Sequence, residues 1–145
     1  MTCTFFGHRD AGKEIEPTLL KVIVDLIENK NVTSFYVGNN GQFDYMVRKI
    51  LRLIKKSYPQ IDYSVVLAYM PREKKELDFY DYSDTIFPDG LENTPPRFAI
   101  SRRNEWMIKN SDYVVTYVKY IVGGAAKFKS LAQSKGKTVL EIYSE

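Results

Sequence analysis

Three short glycine-bearing stretches hold the residues best suited to chemistry: "GHRD" with Gly7, His8, Arg9 and Asp10, "GNNG" with Gly38, Asn39, Asn40 and Gly41, and "GGAAK" with Gly123, Gly124 and Lys127. Glycine lets the backbone adopt positive φ and lets a ligand come close to the main chain. Where such a turn opens a helix, free N–H groups and a partial positive charge face an incoming anion. Arg9 can grip a phosphate with two parallel N–H bonds, or reach Asp10 or solvent. Asp44, three residues past Gly41, stands in a first helical turn. There a carboxylate favours the helix dipole, and it can also accept hydrogen bonds from ribose hydroxyls. It is also the best candidate for a catalytic carboxylate, with Asp10 behind it. Arg48, four residues on, is placed to pair with it.

Arg103 shares a helical face with Ala99, Trp106, Met107 and Asn110. A charge on a half-apolar stripe is costly unless paired, so Arg103 either meets a buried acid or points into a pocket. Trp106 reads as core packing. Lys127 opposes the dipole of the helix it begins, which mildly favours a ligand there. His8 is the only histidine. A histidine-rich metal site is therefore excluded, and the ordinary role of His8 is a hydrogen-bonded structural one. No metal or cofactor is expected. Neither G-x-x-x-x-G-K-[ST] nor G-x-G-x-x-G occurs, so the case for a site rests on the conjunction of the three turns.

Each turn follows an apolar run that reads as a buried strand. These runs are Thr2–Phe6, Ser34–Val37 and Asp112–Val118, with further strands at Tyr63–Tyr69 and Thr138–Tyr143. Between them, Ile15, Leu19, Val22, Ile23, Leu26 and Ile27 recur at helical spacing within Glu14–Asn29, and Phe43, Met46, Val47, Ile50, Leu51 and Ile54 form a second stripe. Further helices are expected at "PPRFAISRRNEWMIKN", with Pro96 in the first turn, and near Ala125–Ser134. Strands alternating with helices imply right-handed βαβ units. The expected fold is α/β, a Rossmann-like three-layer sandwich with a mostly parallel sheet of about five strands. Ligands of such sheets sit beyond the carboxyl ends of the strands, where the strand order reverses. An irregular excursion interrupts the rhythm at about residues 70–96, with a short strand near Thr85–Phe87 and several tyrosines, among them Tyr69, Tyr80 and Tyr82.

The 145 residues suit a single domain spanning 1–145. Net charge is +3, from 21 basic and 18 acidic residues, an excess too mild to require nucleic acid. No apolar run is long enough to span a membrane, and "MTCTFFGHRD" lacks the basic start and apolar stretch of a secretion signal. The one cysteine, Cys3, fits a reducing, cytoplasmic setting. The tyrosines could stack on a base, pack the excursion or line a homo-oligomer interface.

"FFGHRD", "GNNGQFD", "RRNEWMIKNSDYVVTYV" and "GGAAK", in this order, resemble the SLOG superfamily (Smf/DprA–LOG Rossmann-like proteins), and within it the small YpsA-type proteins of bacteria and phages. The resemblance runs from Cys3 to about Ile142. It implies a Rossmann-like fold that binds a nucleotide or nucleotide-derived ligand, with family positions falling on Gly7, His8, Arg9, Gly38, Gly41, Asp44, Gly123 and Gly124. Some members cleave N-glycosidic bonds of nucleoside monophosphates; others bind nucleic acid or sense nucleotide signals. The hydrolase branch carries a catalytic glutamate in "PGGxGTxxE", whereas this chain reads "VGGAAKFKS" and has no glutamate from there until Glu141.

The expected function is binding of a nucleotide-type small molecule at the carboxyl edge of the sheet, as sensor, carrier or sequestering module. The first alternative is an N-glycosidase acting on nucleoside monophosphates through Asp44, since that chemistry needs a carboxylate near the anomeric carbon. The second is a nucleic-acid or protein interaction module built on the basic helix bearing Arg48, Lys49, Arg52, Lys55 and Lys56. A solvated helix face is the plainer reading of those charges.

Overall fold

The central apolar runs become parallel strands because both of their faces are buried. The computed structural model describes residues 1–69, 85–119 and 123–143. In chain order its elements are β1 (Thr2–Gly7), α1 (Glu16–Asn29), β2 (Ser34–Val37), α2 (Gly41–Ile54), β3 (Asp62–Val66), β4 (Thr85–Ile86), α3 (Pro96–Lys109), β5 (Tyr113–Tyr117), α4 (Gly124–Ser134) and β6 (Thr138–Glu141). A 3-10 turn at Lys13–Ile15 leads into α1 and another at Leu91–Asn93 precedes α3. Proline in the first turn of both helices costs no hydrogen bond, because those N–H groups would be unpaired in any case.

The strands form one sheet in the order β4-β3-β2-β1-β5-β6, every pair parallel. Six strands stand where about five were expected; the extra one is the two-residue β4, at the place the sequence marks for a short strand. The third strand ends at Val66 and the last at Glu141, both short of the apolar runs that announced them. The backbone continues the pattern beyond both: Leu67 donates to the Ile86 carbonyl at 2.8 Å and Ile142 to the Thr116 carbonyl at 2.7 Å.

Alternation along each strand divides the core in two. Cys3, Phe5, Phe35, Val65 and Val115 face α1 and α2, where Leu19, Ile23, Leu26, Val47 and Leu51 close over them. Phe6, Val66 and Val114 face α3 and α4, meeting Met107, Ile108, Phe128 and Ala132. The layers are therefore helix, sheet, helix. Each fully buried Leu, Ile or Phe contributes roughly 1.5–3 kcal/mol, so these stripes supply most of what holds helices to sheet.

From β1 the chain winds outward through β2, β3 and β4, then returns to place β5 on the other side of β1. The order thus reverses between β1 and β5. Their carboxyl ends are level, with Gly7 opposite Tyr117. A crevice outside those ends is what the topology provides for a ligand.

Candidate functional site

The turn after β1 is sewn to the start of α2. A β-carbon on Gly7 would stand 2.3 Å from the Phe43 ring, so only glycine lets α2 pack against the end of β1. Gly41 opens α2 at φ +87°, a region that favours glycine, and a β-carbon there would lie 2.8 Å from Arg9 Cα. The Gln42 N–H donates to the Arg9 carbonyl at 2.8 Å. His8 joins the other neighbour: its Nε2 accepts the Lys119 backbone N–H, and its ring meets Tyr117 edge-on at 5.9 Å. His8 therefore holds the segment leaving β5 against the turn leaving β1, a structural role that also fixes one wall of the crevice.

Arg103 organises the inner wall. It is 2% exposed. Its Nε donates to Asn104 Oδ1 at 2.9 Å, and its Nη1 to Asn40 Oδ1 at 3.0 Å, Asn39 Oδ1 at 3.2 Å and the Val66 carbonyl at 3.3 Å. Asp44, in the first turn of α2 and 8% exposed, accepts the Asn40 N–H on Oδ2 at 3.1 Å. A β-carbon on Gly38 would stand 2.6 Å from that Oδ2 and 3.0 Å from Arg103 Nη1. Carboxylate and guanidinium thus close over a residue that has to be glycine. Burial pushes the Asp44 carboxyl above its usual range, with Arg103, the Asn40 N–H and Arg48 pulling the other way. Burial likewise lowers Arg103 from its usual range, opposed by Asp44 and Tyr69. Arg48 reaches the Gly38 carbonyl at 3.0 Å, so it braces the turn from behind.

These groups surround a cleft of about 510 Å³ at the β1/β5 switch point, within the size range of small-molecule sites. Gly7, His8, Arg9, Asn40, Asp44, Arg103, Gly123, Gly124 and Lys127 line it. Gly38, Asn39 and Gly41 do not. Gly38 makes room for the side chains of both Asp44 and Arg103, Asn39 is an acceptor for Arg103, and Gly41 lies against Arg9, so they shape the wall from behind it. Gly123, at φ +115°, turns the chain into α4 with open space beside it. Lys127 lies with its ammonium 5.3 Å from the Phe128 ring centre.

Asn104 lines the cleft and was not anticipated. The face expected on α3 is rotated: Ala99, Arg103, Asn104, Met107 and Ile108 are buried, while Asn110 is exposed and caps the helix by donating to the Trp106 carbonyl. The four-residue spacing of Ile100, Asn104 and Ile108 carried the signal of a polar residue on an apolar stripe. Trp106 is half-buried against Tyr36, with ring centres 5.1 Å apart. Tyr69 is exposed and its hydroxyl donates to the Pro96 carbonyl at 2.8 Å. Tyr80 and Tyr82 lie outside the described residues.

The basic helix is largely spoken for. Lys49 pairs with Glu16 at 2.9 Å and Lys55 with Asp62 at 3.1 Å. A groove of about 480 Å³ outside α3, lined by Pro88, Leu91, Phe98 and Trp106 among others, contains none of the buried polar side chains. Among the described residues no group of three or more metal-ligating side chains gathers, and no helix is long and apolar enough to cross a membrane.

No known protein-family profile matches the chain, and no curated protein matches it. Among solved structures it is similar to DNA processing protein A (DprA) from Streptococcus pneumoniae, with a TM-score of 0.71 and 16% identity over 99% of this chain and 50% of that one. It is also similar to S. aureus TarJ, solved in complex with NADPH, with a TM-score of 0.49 and 17% identity over 90% of this chain and 43% of that one. The chain spans about half the length of these proteins or less. The likeness is one of architecture: this chain has a Rossmann-like α/β fold.

Proposed function

We propose that the protein binds a nucleotide or nucleotide-derived small molecule in the cleft at the β1/β5 switch point. One observation carries this reading: a carboxylate and a guanidinium, both more than nine-tenths buried, line the same crevice that the strand order predicts for a ligand. Burying two such charges is costly and contributes little to folding compared with apolar side chains, so their retention is better explained by a ligand than by stability. The phosphate end of the ligand would lie at the start of α4, where Gly124 and Ala125 begin the helix and Lys127 and Arg9 bring positive charge to the rim.

Binding is favoured over hydrolysis because the cleft holds one buried carboxylate and not a facing pair; Asp10, the other acid on its lining, is exposed. Isothermal calorimetry with nucleoside monophosphates, cyclic nucleotides and ADP-ribose tests the reading. It predicts saturable, one-to-one binding by at least one of these classes. The absence of heat from all of them would overturn it.

A further inference from the structure

The Arg103 guanidinium fixes the orientation of three amides at once. Arginine only donates hydrogen bonds. The side-chain oxygens of Asn39, Asn40 and Asn104 all accept from it, so each NH2 group is turned away from it. Two of those residues, Asn40 and Asn104, line the cleft together with Arg103 and Asp44. Asn104 is 8% exposed. Arg103 Nη2, Asn104 Nδ2 and Asp44 Oδ1 make no hydrogen bond among the described residues. Among the described residues, the side-chain polar atoms that are both fully buried and unpartnered are Ser111 Oγ and Thr116 Oγ1, outside the cleft. The three residues that carry the cleft atoms are buried and all line the cleft.

We infer that this wall recognises the hydroxyl pair of a ribose, and that the protein selects ribonucleotides over 2′-deoxyribonucleotides. The inference rests on the nucleotide reading above and sharpens it. Donors and an acceptor stand side by side on the wall. A phosphate oxygen can only accept, and it would confront the Asp44 carboxylate. A hydroxyl both accepts and donates, so a pair of them meets the guanidinium, the amide and the carboxylate together. The sugar is also the part of a nucleotide bonded to the phosphate, so a phosphate at Gly123–Lys127 leaves the sugar against this wall. Removing one hydroxyl strands a buried charged partner without its hydrogen bond, which lowers affinity by about 10- to 100-fold.

Calorimetry with AMP, GMP, CMP and UMP against their 2′-deoxy counterparts tests this on the unaltered protein. Every ribonucleotide that binds should do so at least about tenfold more tightly than its 2′-deoxy form. The Asp44→Asn variant should bring the two forms within a few-fold of each other. Equal affinities for the two sugars, or affinities that sort by base and not by sugar, would overturn the inference and leave the nucleotide reading standing. No binding by any of the eight would overturn this inference, and the nucleotide reading falls with it only when cyclic nucleotides and ADP-ribose also give no heat.

Discussion

The Asp44 carboxylate and the Arg103 guanidinium converge on Gly38, each within 3.0 Å of the point where a β-carbon on that glycine would stand. They come from opposite layers of the sandwich, Asp44 from α2 and Arg103 from α3. The end of β2 is the seam where both helices reach the same strand edge. The pair is thus a product of topology, and the cleft exists because the two layers contribute to one wall.

The seam makes Gly38 sensitive to the smallest possible change. Gly38→Ala places a methyl group 2.6 Å from Asp44 Oδ2. Such overpacking should cost about 1–3 kcal/mol, read as a lowered urea midpoint with an unchanged slope. A variant as stable as the parent would show that the two charged groups move apart freely.

Arg103→Met removes the donor to three asparagines and the counter-charge of Asp44. It should cost about 3–5 kcal/mol, because a buried carboxylate is left uncompensated. Adding Asp44→Asn should return about 1–3 kcal/mol of that loss, measured as the coupling in a double-mutant cycle. Strict additivity of the two single changes would contradict the electrostatic link.

The raised Asp44 carboxyl makes a signed prediction for pH. In the folded state it holds its proton to higher pH than in the unfolded chain. Its contribution to stability is then greatest below about pH 4, the unfolded value for aspartate, and declines as pH rises through the folded value. Stability of the parent relative to Asp44→Asn should fall as pH is raised from about 4 to 8. A relative stability that climbs with pH would mean that Arg103 and Arg48 outweigh burial.

Much of this was legible in the residues. Continuous apolar runs such as "TCTFF" announced a buried parallel sheet, and the glycine turns announced the edge at which the cleft opens, because both follow from local chemistry. Arg103 stood out as a charge on an apolar stripe. The roles of Gly38, Asn39 and Gly41 were not legible, since a glycine that admits a ligand and one that admits Asp44 and Arg103 look alike in a sequence. Asn104 was not legible because Trp106 and Asn110 mark a different face of the helix. The sheet instead turns α3 so that Asn104 and Ile108 face inward and Trp106 packs at the margin on Tyr36.

Ion pairing on the basic helix predicts weak attraction to nucleic acid. With Lys49 and Lys55 paired and Arg48 bonded to the Gly38 carbonyl, few of its cations remain to neutralise phosphates. Any binding to a single-stranded oligonucleotide should show a shallow salt dependence, with a log–log slope no steeper than about −2. A slope of about −5 or steeper would point to a phosphate-tracking surface that the helix does not account for.

The most direct test of the central claim is where a nucleotide touches the protein. Backbone amide chemical shifts, followed while a mixture of the four ribonucleoside 5′-monophosphates is titrated in, report this residue by residue. Saturable shifts should concentrate at Gly7–Asp10, Asn40–Asp44 and Gly123–Lys127. Shifts confined to the outer face of α2 or to the groove outside α3, or no shifts at saturating nucleotide, would contradict it.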